Sequence, residues 1–253
     1  SNSLLNISRM FHNCSKLEYL NIPNLKTPEV KDMEMAFCNC TSLTSLDIRH
    51  FETSKVLNMS NMFCYCALES LVIKNFDTCS VTTMESMFIN CTKLSNLDLS
   101  DFVTTSVKDM TNMFSNCESL TSLDISNFDT SSVTSMASMF NNCEKLRSLD
   151  FTASIFDTGN VNNMENMFNN CNSLINLDLS QFNTENVLSM AYMFNNCKNI
   201  GPLNLLSFDT QKVTNMDSMF CNCEKLTELD LSSFHTEKVD NMFSMFNGCK
   251  SIE

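Results

Sequence analysis

Apolar and polar positions alternate along one short stretch of this chain and then change to a longer period. In the heptapeptide that starts at Leu94, Leu-Ser-Asn-Leu-Asp-Leu-Ser, leucines alternate with polar residues. This pattern predicts a short strand that points its leucines inward and Asp98 outward. Farther on, apolar residues stand at i, i+3, i+7 and i+10, which predicts one face of a short helix. These residues are Val107, Met110, Phe114 and Cys117.

The same pattern recurs along the whole chain with a period of about 26 residues. A cysteine closes each of ten copies, and a Phe stands three residues before every one of them. The cysteines are Cys14, Cys40, Cys66, Cys91, Cys117, Cys143, Cys171, Cys197, Cys223 and Cys249. A unit of this kind cannot bury its apolar side alone and must stack on its neighbours, which predicts a repeat solenoid of ten coils.

Two polar columns mark the ends of the predicted elements. Thr occupies one corner position in nine copies, from Thr27 to Thr236, and we expect it to bond a backbone group of its own turn or of a neighbouring one. Asn precedes the cysteine in eight copies, and Tyr65 and Gly248 replace it in the other two. Because Asn and Gly tolerate a left-handed backbone, this position is predicted to be the C-cap of the helix.

Stacking of these units predicts an α/β fold with a parallel β-sheet and short helices on opposite sides. Helices need more room than strands spaced about 4.8 Å apart, so we expect the sheet on the concave face and the helices on the convex face. The repeat runs over residues 1–253 as a single domain. Because neither end shows a polar cap, we expect a fragment of a longer array or protein, or open ends that self-associate.

The charge of the chain restricts the class of partner. The formal net charge is −13, which argues against nucleic acid because phosphate binding needs clustered Lys and Arg. An anionic membrane surface is disfavoured for the same reason. No apolar run is long enough for a transmembrane segment. A protein partner or a host surface component is therefore expected.

The repeat resembles that of the BspA-like leucine-rich-repeat surface proteins. Its pattern is Leu-x-x-Leu-Asp-Leu-Ser-x-Phe-Asp-Thr-x-x-Val-x-x-Met-x-x-Met-Phe-x-Asn-Cys, clearest from Met113 to Met136 and from Met219 to Met242. The resemblance covers the whole chain, although many relatives carry Gly where this chain has Asn before the cysteine. It implies a right-handed leucine-rich-repeat solenoid, an extracellular or cell-surface location, and binding to host proteins or other cells. It carries no ligand motif and implies no binding residues.

The repeated cysteines are interpreted as buried free thiols, since one inward cysteine in every coil acts as a small apolar residue. Disulfides within the column are the alternative. Zinc is disfavoured because the three Cys-x-Cys pairs have no His at ligand spacing. Cys38 and Cys64 occupy equivalent outer positions of adjacent coils and can form a disulfide in an exported protein. Cys79 and Cys221 are expected to be free.

Aspartates recur at the outward position of the predicted strands, at Asp47, Asp98, Asp124, Asp150, Asp178 and Asp230. Like charges on neighbouring strands cost stability, which favours a function for the column: a surface for a cationic ligand, or calcium held between coils. The alternative is that each Asp solubilises its strand and bonds nearby backbone. Outward residues that differ from the Ser and Asn background complete the predicted partner-binding surface. Six residues differ in this way, Tyr19, Arg49, Lys74, Pro202, Leu206 and Glu228, and the predicted surface includes Tyr19, Arg49, Lys74 and Glu228.

Catalysis has little support in the sequence. The three histidines, His12, His50 and His235, stand in different columns and form no cluster with a nucleophile. No enzyme activity and no cofactor are therefore expected. Two function classes follow. The first is a non-catalytic secreted or cell-surface protein that mediates protein binding or adhesion through a concave acidic sheet. The second is a structural protein that assembles end to end into a filament or surface layer.

Overall fold

The protein is a stack of similar coils in the structure, a computed structural model that describes residues 4–153 and 155–252. We number the coils 1–10, and each coil ends at its cysteine, from Cys14 to Cys249. Residues 1–3, Ser154 and Glu253, which belong to the predicted solenoid, lie outside the described residues. Coil-to-coil hydrogen bonds connect positions about 26 residues apart along the stack, as the repeat solenoid predicts.

Short parallel strands lie where the alternating pattern predicts them. Strand β1 (Ser45–Asp47) pairs with β2 (Ser70–Val72), and β3 (Ser148–Leu149) pairs with β4 (Asn176–Leu177). In β1 the central leucine is buried and its two neighbours are exposed. Among the described residues the predicted sheet is therefore present as two separate two-stranded sheets.

The predicted helices are wrong, because successive turns take their place and the described residues contain no helix. In coil 5 the N–H groups of Met113, Ser115 and Cys117 each donate to the carbonyl three residues earlier, at 3.0–3.1 Å. Asn112 and Asn116, which directly precede Met113 and Cys117, have φ values of 56° and 59°. A left-handed residue at every fourth position interrupts a right-handed helix. We call residues 109–117 and their equivalents the turn strip.

The turn strips carry the most continuous backbone bonding of the molecule. Parallel bridges join one residue of each strip to the next, without interruption from Asn6 to Asn241. Alternate N–H groups of a strip donate to the following strip, as Asn112 does to the carbonyl of Ala137 at 2.9 Å. Phe114 does the same to Met139 at 2.9 Å. Each strip thus satisfies the backbone of its neighbour.

Columns of apolar side chains fill the space between the turn strips and the strands. The Phe rings that precede the cysteines stack at centroid distances of 5.4–5.8 Å from Phe11 to Phe246. The corner rings from Phe156 to Phe234 stack at 6.0–6.4 Å. The coils therefore lie closer together on the turn side than at the corner.

This spacing bears on the predicted concave sheet. That expectation rested on bulky helices opposite the strands, and turn strips replace those helices. The ring spacings compare the turn strips only with the corners, so the curvature at the strand face stays a prediction. The outward surface of the strands is therefore called the strand face below, whatever the curvature of the stack.

The corner threonines bond the neighbouring coil, which is one of the two alternatives that the sequence left open. Eight of them donate a hydrogen bond from Oγ1 to a backbone carbonyl of the next coil, at 2.7–3.0 Å. Thr78 makes such a bond to Val103 and also accepts the Val103 N–H at 2.8 Å. The side chain is buried, so these bonds replace those that water would make.

Candidate binding face

Every aspartate of the predicted column lies exposed on the strand face and bonds its own backbone. The Asp98 carboxylate accepts the N–H of Ser100 at 3.1 Å, and the Asp124 carboxylate accepts that of Ser126 at 3.0 Å. The same contact, to the residue two positions later, recurs at Asp47, Asp150, Asp178 and Asp230. Each carboxylate therefore helps to form the turn that ends its strand.

Four of these aspartates form an uninterrupted row across coils 5–8, which we call the Asp stripe: Asp98, Asp124, Asp150 and Asp178. The backbone and side chain of Ser126 lower the pKa of Asp124, although the negative charges of Asp150 and Asp98 act to raise it. Hydrogen bonds from Ser100 likewise lower the pKa of Asp98. The stripe therefore keeps its four negative charges at neutral pH despite their mutual repulsion.

The remaining acidic candidates lie apart from the stripe. Glu228 and Asp230 are exposed in coil 10, and the neutral Asn204 occupies the equivalent position in coil 9. Asn204 keeps the structural contact, because its side-chain oxygen accepts the N–H of Leu206 at 3.2 Å. The row of charge is thus interrupted at coil 9, while the turn is preserved.

A groove opens on the strand face at coils 2–4, which we call the Tyr19–Arg49 groove. Its cavity volume is about 390 Å³, and β1 and β2 contribute part of its lining. Tyr19, Asp47 and Arg49, all predicted from the sequence, line it together. The Tyr19 side chain is 71% exposed, which leaves its ring free for a partner.

An ion pair fixes the cationic side chain of this groove. Arg49 donates from Nε to both carboxylate oxygens of Asp47 at 3.0 Å, and from Nη2 to Oδ2 at 2.6 Å. These bonds lower the pKa of Asp47. Lys74 occupies the position equivalent to Arg49 in the next coil and is exposed. Its charge contributes to the lowered pKa of Asp98, so it stands between the groove and the Asp stripe.

Sequence reasoning did not predict the other residues that line the groove, among them Pro23, His50 and Val72. His50 lies with Nε2 at 3.0 Å from the carbonyl oxygen of Ile22. Val72 stands where most copies have Asp, since β1 pairs Asp47 with Val72. The replacement of Asp by Val in this column was the sequence signal that could have pointed to the groove. It also removes one negative charge beside Arg49.

Two further hollows continue the groove along the strand face. One has a volume of about 640 Å³ and is lined by residues from Glu69 to Asp124; the other has about 390 Å³ and is lined by residues from Ser122 to Asp150. The first shares Ser70 with the Tyr19–Arg49 groove, and the two share Ser122 and Asp124. Neighbouring hollows therefore have lining residues in common from coil 2 to coil 7.

Charge is unevenly distributed along the stack. Residues 1–78 contain 7 Lys and Arg against 8 Asp and Glu, whereas residues 79–253 contain 9 against 21. The groove thus belongs to a nearly neutral part of the chain, and the Asp stripe belongs to the strongly acidic part.

The cysteines divide into one disulfide and a set of free thiols. The structure joins Cys38 to Cys64, with 4.6 Å between their Cα atoms. The free cysteines of coils 2–9 are buried where they belong to the repeated column, whereas Cys79 is free and exposed. No group of three or more His, Cys, Asp or Glu side chains with metal-binding geometry occurs in the part of the chain that the structure describes. Nor does that part contain a helix long and apolar enough to cross a membrane.

The histidines are not brought together by the fold. His12 lies at the turn strip of coil 1, His50 lines the groove, and His235 lies 4.0 Å from the carboxylate of Glu237. Among the described residues, His50 contacts the carbonyl of Ile22 and His235 contacts Glu237, and neither partner is a nucleophile paired with a base.

Comparison with known proteins gives one family. The family model described as "Mycoplasma protein of unknown function, DUF285" matches residues 2–70, 66–153 and 148–253. No curated protein matches the chain significantly in sequence.

Two solved structures are similar at low identity. A leucine-rich repeat protein from Bacteroides ovatus is 17% identical, with 96% of this chain and 73% of that chain covered and a TM-score of 0.37. An internalin from Listeria monocytogenes is 18% identical, with 91% and 70% covered and a TM-score of 0.26.

Proposed function

The chain belongs to the family described as "Mycoplasma protein of unknown function, DUF285", and we propose that it is a non-catalytic recognition protein that binds a protein partner through its strand face. The observation that carries the proposal is the Asp stripe, four exposed and ionised carboxylates in consecutive coils.

The stripe suits recognition because hydrogen bonds within each turn hold its carboxylates in position and offset their mutual repulsion. The Asx turns of Asp98 and Asp124 hold these carboxylates in one orientation. A row of like charges attracts a basic partner over a distance and excludes an acidic one. The proposed partner therefore presents a basic surface, which agrees with the exclusion of nucleic acid that the net charge predicts.

Charge reversal of the stripe tests this function. We expect the triple variant Asp98→Lys, Asp124→Lys, Asp150→Lys to lose at least about tenfold in affinity for basic proteins in a panel of purified extracellular proteins. The readout is surface plasmon resonance. A matched control reverses three exposed acids off the strand face, Glu118, Glu144 and Glu185, and should bind as the parent does. Equal binding by both variants, or no panel member bound by the parent, sinks the proposal.

We also propose a secreted or cell-surface location. The resemblance to surface repeat proteins supports it, and so does the Cys38–Cys64 disulfide, because disulfides persist in oxidising compartments. The test is to alkylate the protein in its source cells before lysis and to map the cysteines without reduction. A Cys38–Cys64 cross-link is expected, and a fully reduced pair counts against the location.

End-to-end assembly is the second candidate function. In the last coil Met242, Phe243 and Phe246 are 43%, 75% and 37% exposed, whereas the equivalent Met216 and Phe220 of the preceding coil are fully buried. A further coil of a longer array or a second copy of this chain would cover them. Sedimentation equilibrium of the 253-residue chain tests whether a second copy binds there. An apparent mass that grows with concentration supports self-association, and a monomer at about 100 μM rules it out.

A further inference from the structure

We propose that a hollow beside Tyr65 is a binding site for one neutral pyranose sugar. This hollow, called the Tyr65 hollow below, has a cavity volume of about 270 Å³. It has no lining residue in common with the Tyr19–Arg49 groove or the hollows of the strand face, so the site goes beyond the proposed function. Its lining residues are Thr41, Tyr65, Cys66, Ala67, Asn90 and Thr92.

A one-residue deletion opens the Tyr65 hollow. Coils 3 and 5 begin with a two-residue turn, at residues 41–42 and 92–93. In coil 4, Ala67 alone stands between the preceding cysteine and the first leucine, which is too short for this turn. Thr41 and Thr92 therefore belong to longer coils on either side of a shorter one, and the recess between them is the hollow.

A second departure from the repeat puts an aromatic ring at the same place. Tyr65 occupies the column in which eight copies have Asn, and it is 52% exposed. Its φ of 56° is a conformation that Asn tolerates but that is an outlier for a bulky residue. Strained residues of this kind cluster at functional sites. The C–H face of a pyranose is the kind of apolar surface that packs on an exposed ring.

Tyr192 shows what a tyrosine with a structural role looks like in this fold. It also has a positive φ, of 59°, in the other left-handed column. Its hydroxyl donates to the Asp217 carboxylate of the next coil at 2.9 Å, and the residue is half-buried. A contact between coils therefore accounts for Tyr192, whereas the ring of Tyr65 is exposed to solvent beside a hollow.

Tyr65 also changes the hydrogen bonding of its column. Asn in this column donates from its side chain to the Asn of the preceding coil, as Asn39 does to Asn13 at 2.6 Å. Tyr65 offers the Nδ2 group of Asn90 no such amide acceptor. The Asn90 amide therefore faces a hollow that two threonine hydroxyls also line. Amide and hydroxyl groups both donate and accept, which suits the hydroxyls of a sugar.

The lining favours a neutral ligand of one ring. All six lining residues are uncharged. The charged residues next to them in sequence, Lys93 and Glu69, pair with each other at 3.6 Å. The volume lies just below the range of roughly 300–1,000 Å³ that drug-sized ligands occupy, which limits the site to one ring. An open site of this size should bind with a dissociation constant of about 1 mM.

Saturation-transfer difference NMR tests the site with the methyl β-glycosides of glucose, galactose and N-acetylglucosamine. Each is added to the 253-residue chain at about 10 mM, roughly ten times the expected dissociation constant. At least one should receive saturation, most strongly on the axial protons of the ring face that packs on Tyr65. Glycerol, which has hydroxyls but no ring, is the control ligand. No transfer to any of the glycosides, or equal transfer to glycerol, overturns the proposal.

Variants of the chain separate loss of the site from loss of the fold. Tyr65→Asn restores the regular column and should weaken glycoside binding at least about tenfold, while the protein stays folded in a thermal melt. Insertion of one Ser after Ala67 restores the missing turn and should weaken binding as much by filling the hollow. Tyr192→Asn makes the same exchange at another positive-φ position and should bind as the parent does. Binding that survives both changes at the hollow, or that Tyr192→Asn weakens equally, contradicts the site.

Discussion

The thiol of Cys143 donates a hydrogen bond to the backbone carbonyl of Phe114, one coil earlier, with 3.2 Å between sulfur and oxygen. The same carbonyl accepts the N–H of Cys117 at 3.1 Å, so both of its acceptor positions are used. Nine cysteines make this contact with the preceding coil. The column is therefore more than a row of small apolar side chains, because each thiol also links two coils.

Replacement of Cys143 by Ala should lower the free energy of unfolding by about 1–2 kcal/mol, since it removes a buried sulfur and a weak hydrogen bond. Urea unfolding followed by circular dichroism measures the change. Cys79→Ala is the matched control, because that thiol is exposed and should contribute less than about 0.5 kcal/mol. Equal losses at both sites would show that the buried contact adds nothing.

The buried thiols should make the protein sensitive to alkaline pH. Burial raises the pKa of Cys91 and of Cys171 to about 12, whereas an unfolded thiol titrates near about 8.5. Between these values the folded state retains protons that the unfolded state has lost. Stability is therefore complete below about pH 8.5 and falls as the pH rises towards 12, by about 1.4 kcal/mol per pH unit for each thiol.

Urea unfolding at pH 8, 9 and 10 measures this slope. The variant Cys91→Ala with Cys171→Ala should be less stable at pH 8 but should lose less stability between pH 9 and 10 than the parent. Parallel slopes for the two proteins are the result that this account does not allow.

The corner threonines should be worth more than their small side chains suggest. Thr78→Val keeps the shape but removes the bonds to the carbonyl and the N–H of Val103. Both groups then lose their bond to the neighbouring coil, which costs about 1–3 kcal/mol for the two bonds together. Thr105→Val, at an exposed position of the next corner, should cost less than about 0.5 kcal/mol. The comparison of urea midpoints decides, and similar midpoints would refute the role of the hydroxyl.

The sequence predicted the repeat, the strand positions and the left-handed residue before each cysteine, because each of these depends on residue type at one fixed position. Asn116 has the positive φ expected from Asn in that column. The groove could not be predicted, since Tyr19 and Arg49 are separated along the chain and meet only through stacking. The outward position of the aspartates followed directly from alternation.

The prediction of helices was wrong because apolar residues at i, i+3 and i+7 also face one side in a series of turns. A second signal was present four residues before the cap column. Seven of the ten copies have Asn or Ser there, as at Asn112 and Ser138, and these residues have positive φ. Two left-handed positions in eight residues leave no length for a helix.

Tyr65 tests this reading of the turn strip, because it is the one bulky residue in the cap column and has a φ of 56°. A left-handed conformation costs an ordinary residue about 1–2 kcal/mol and costs Asn less. Asn in this column also donates to the preceding coil, as the side chain of Asn142 does to that of Asn116 at 2.5 Å. Tyr65→Asn should therefore raise the free energy of unfolding by about 0.5–1 kcal/mol, after the packing lost with the half-buried Tyr ring is subtracted. Tyr19→Asn, at an exposed position outside the positive-φ set, should give no gain. If urea unfolding shows no gain at position 65, the cap column is not under the backbone constraint that the turns impose.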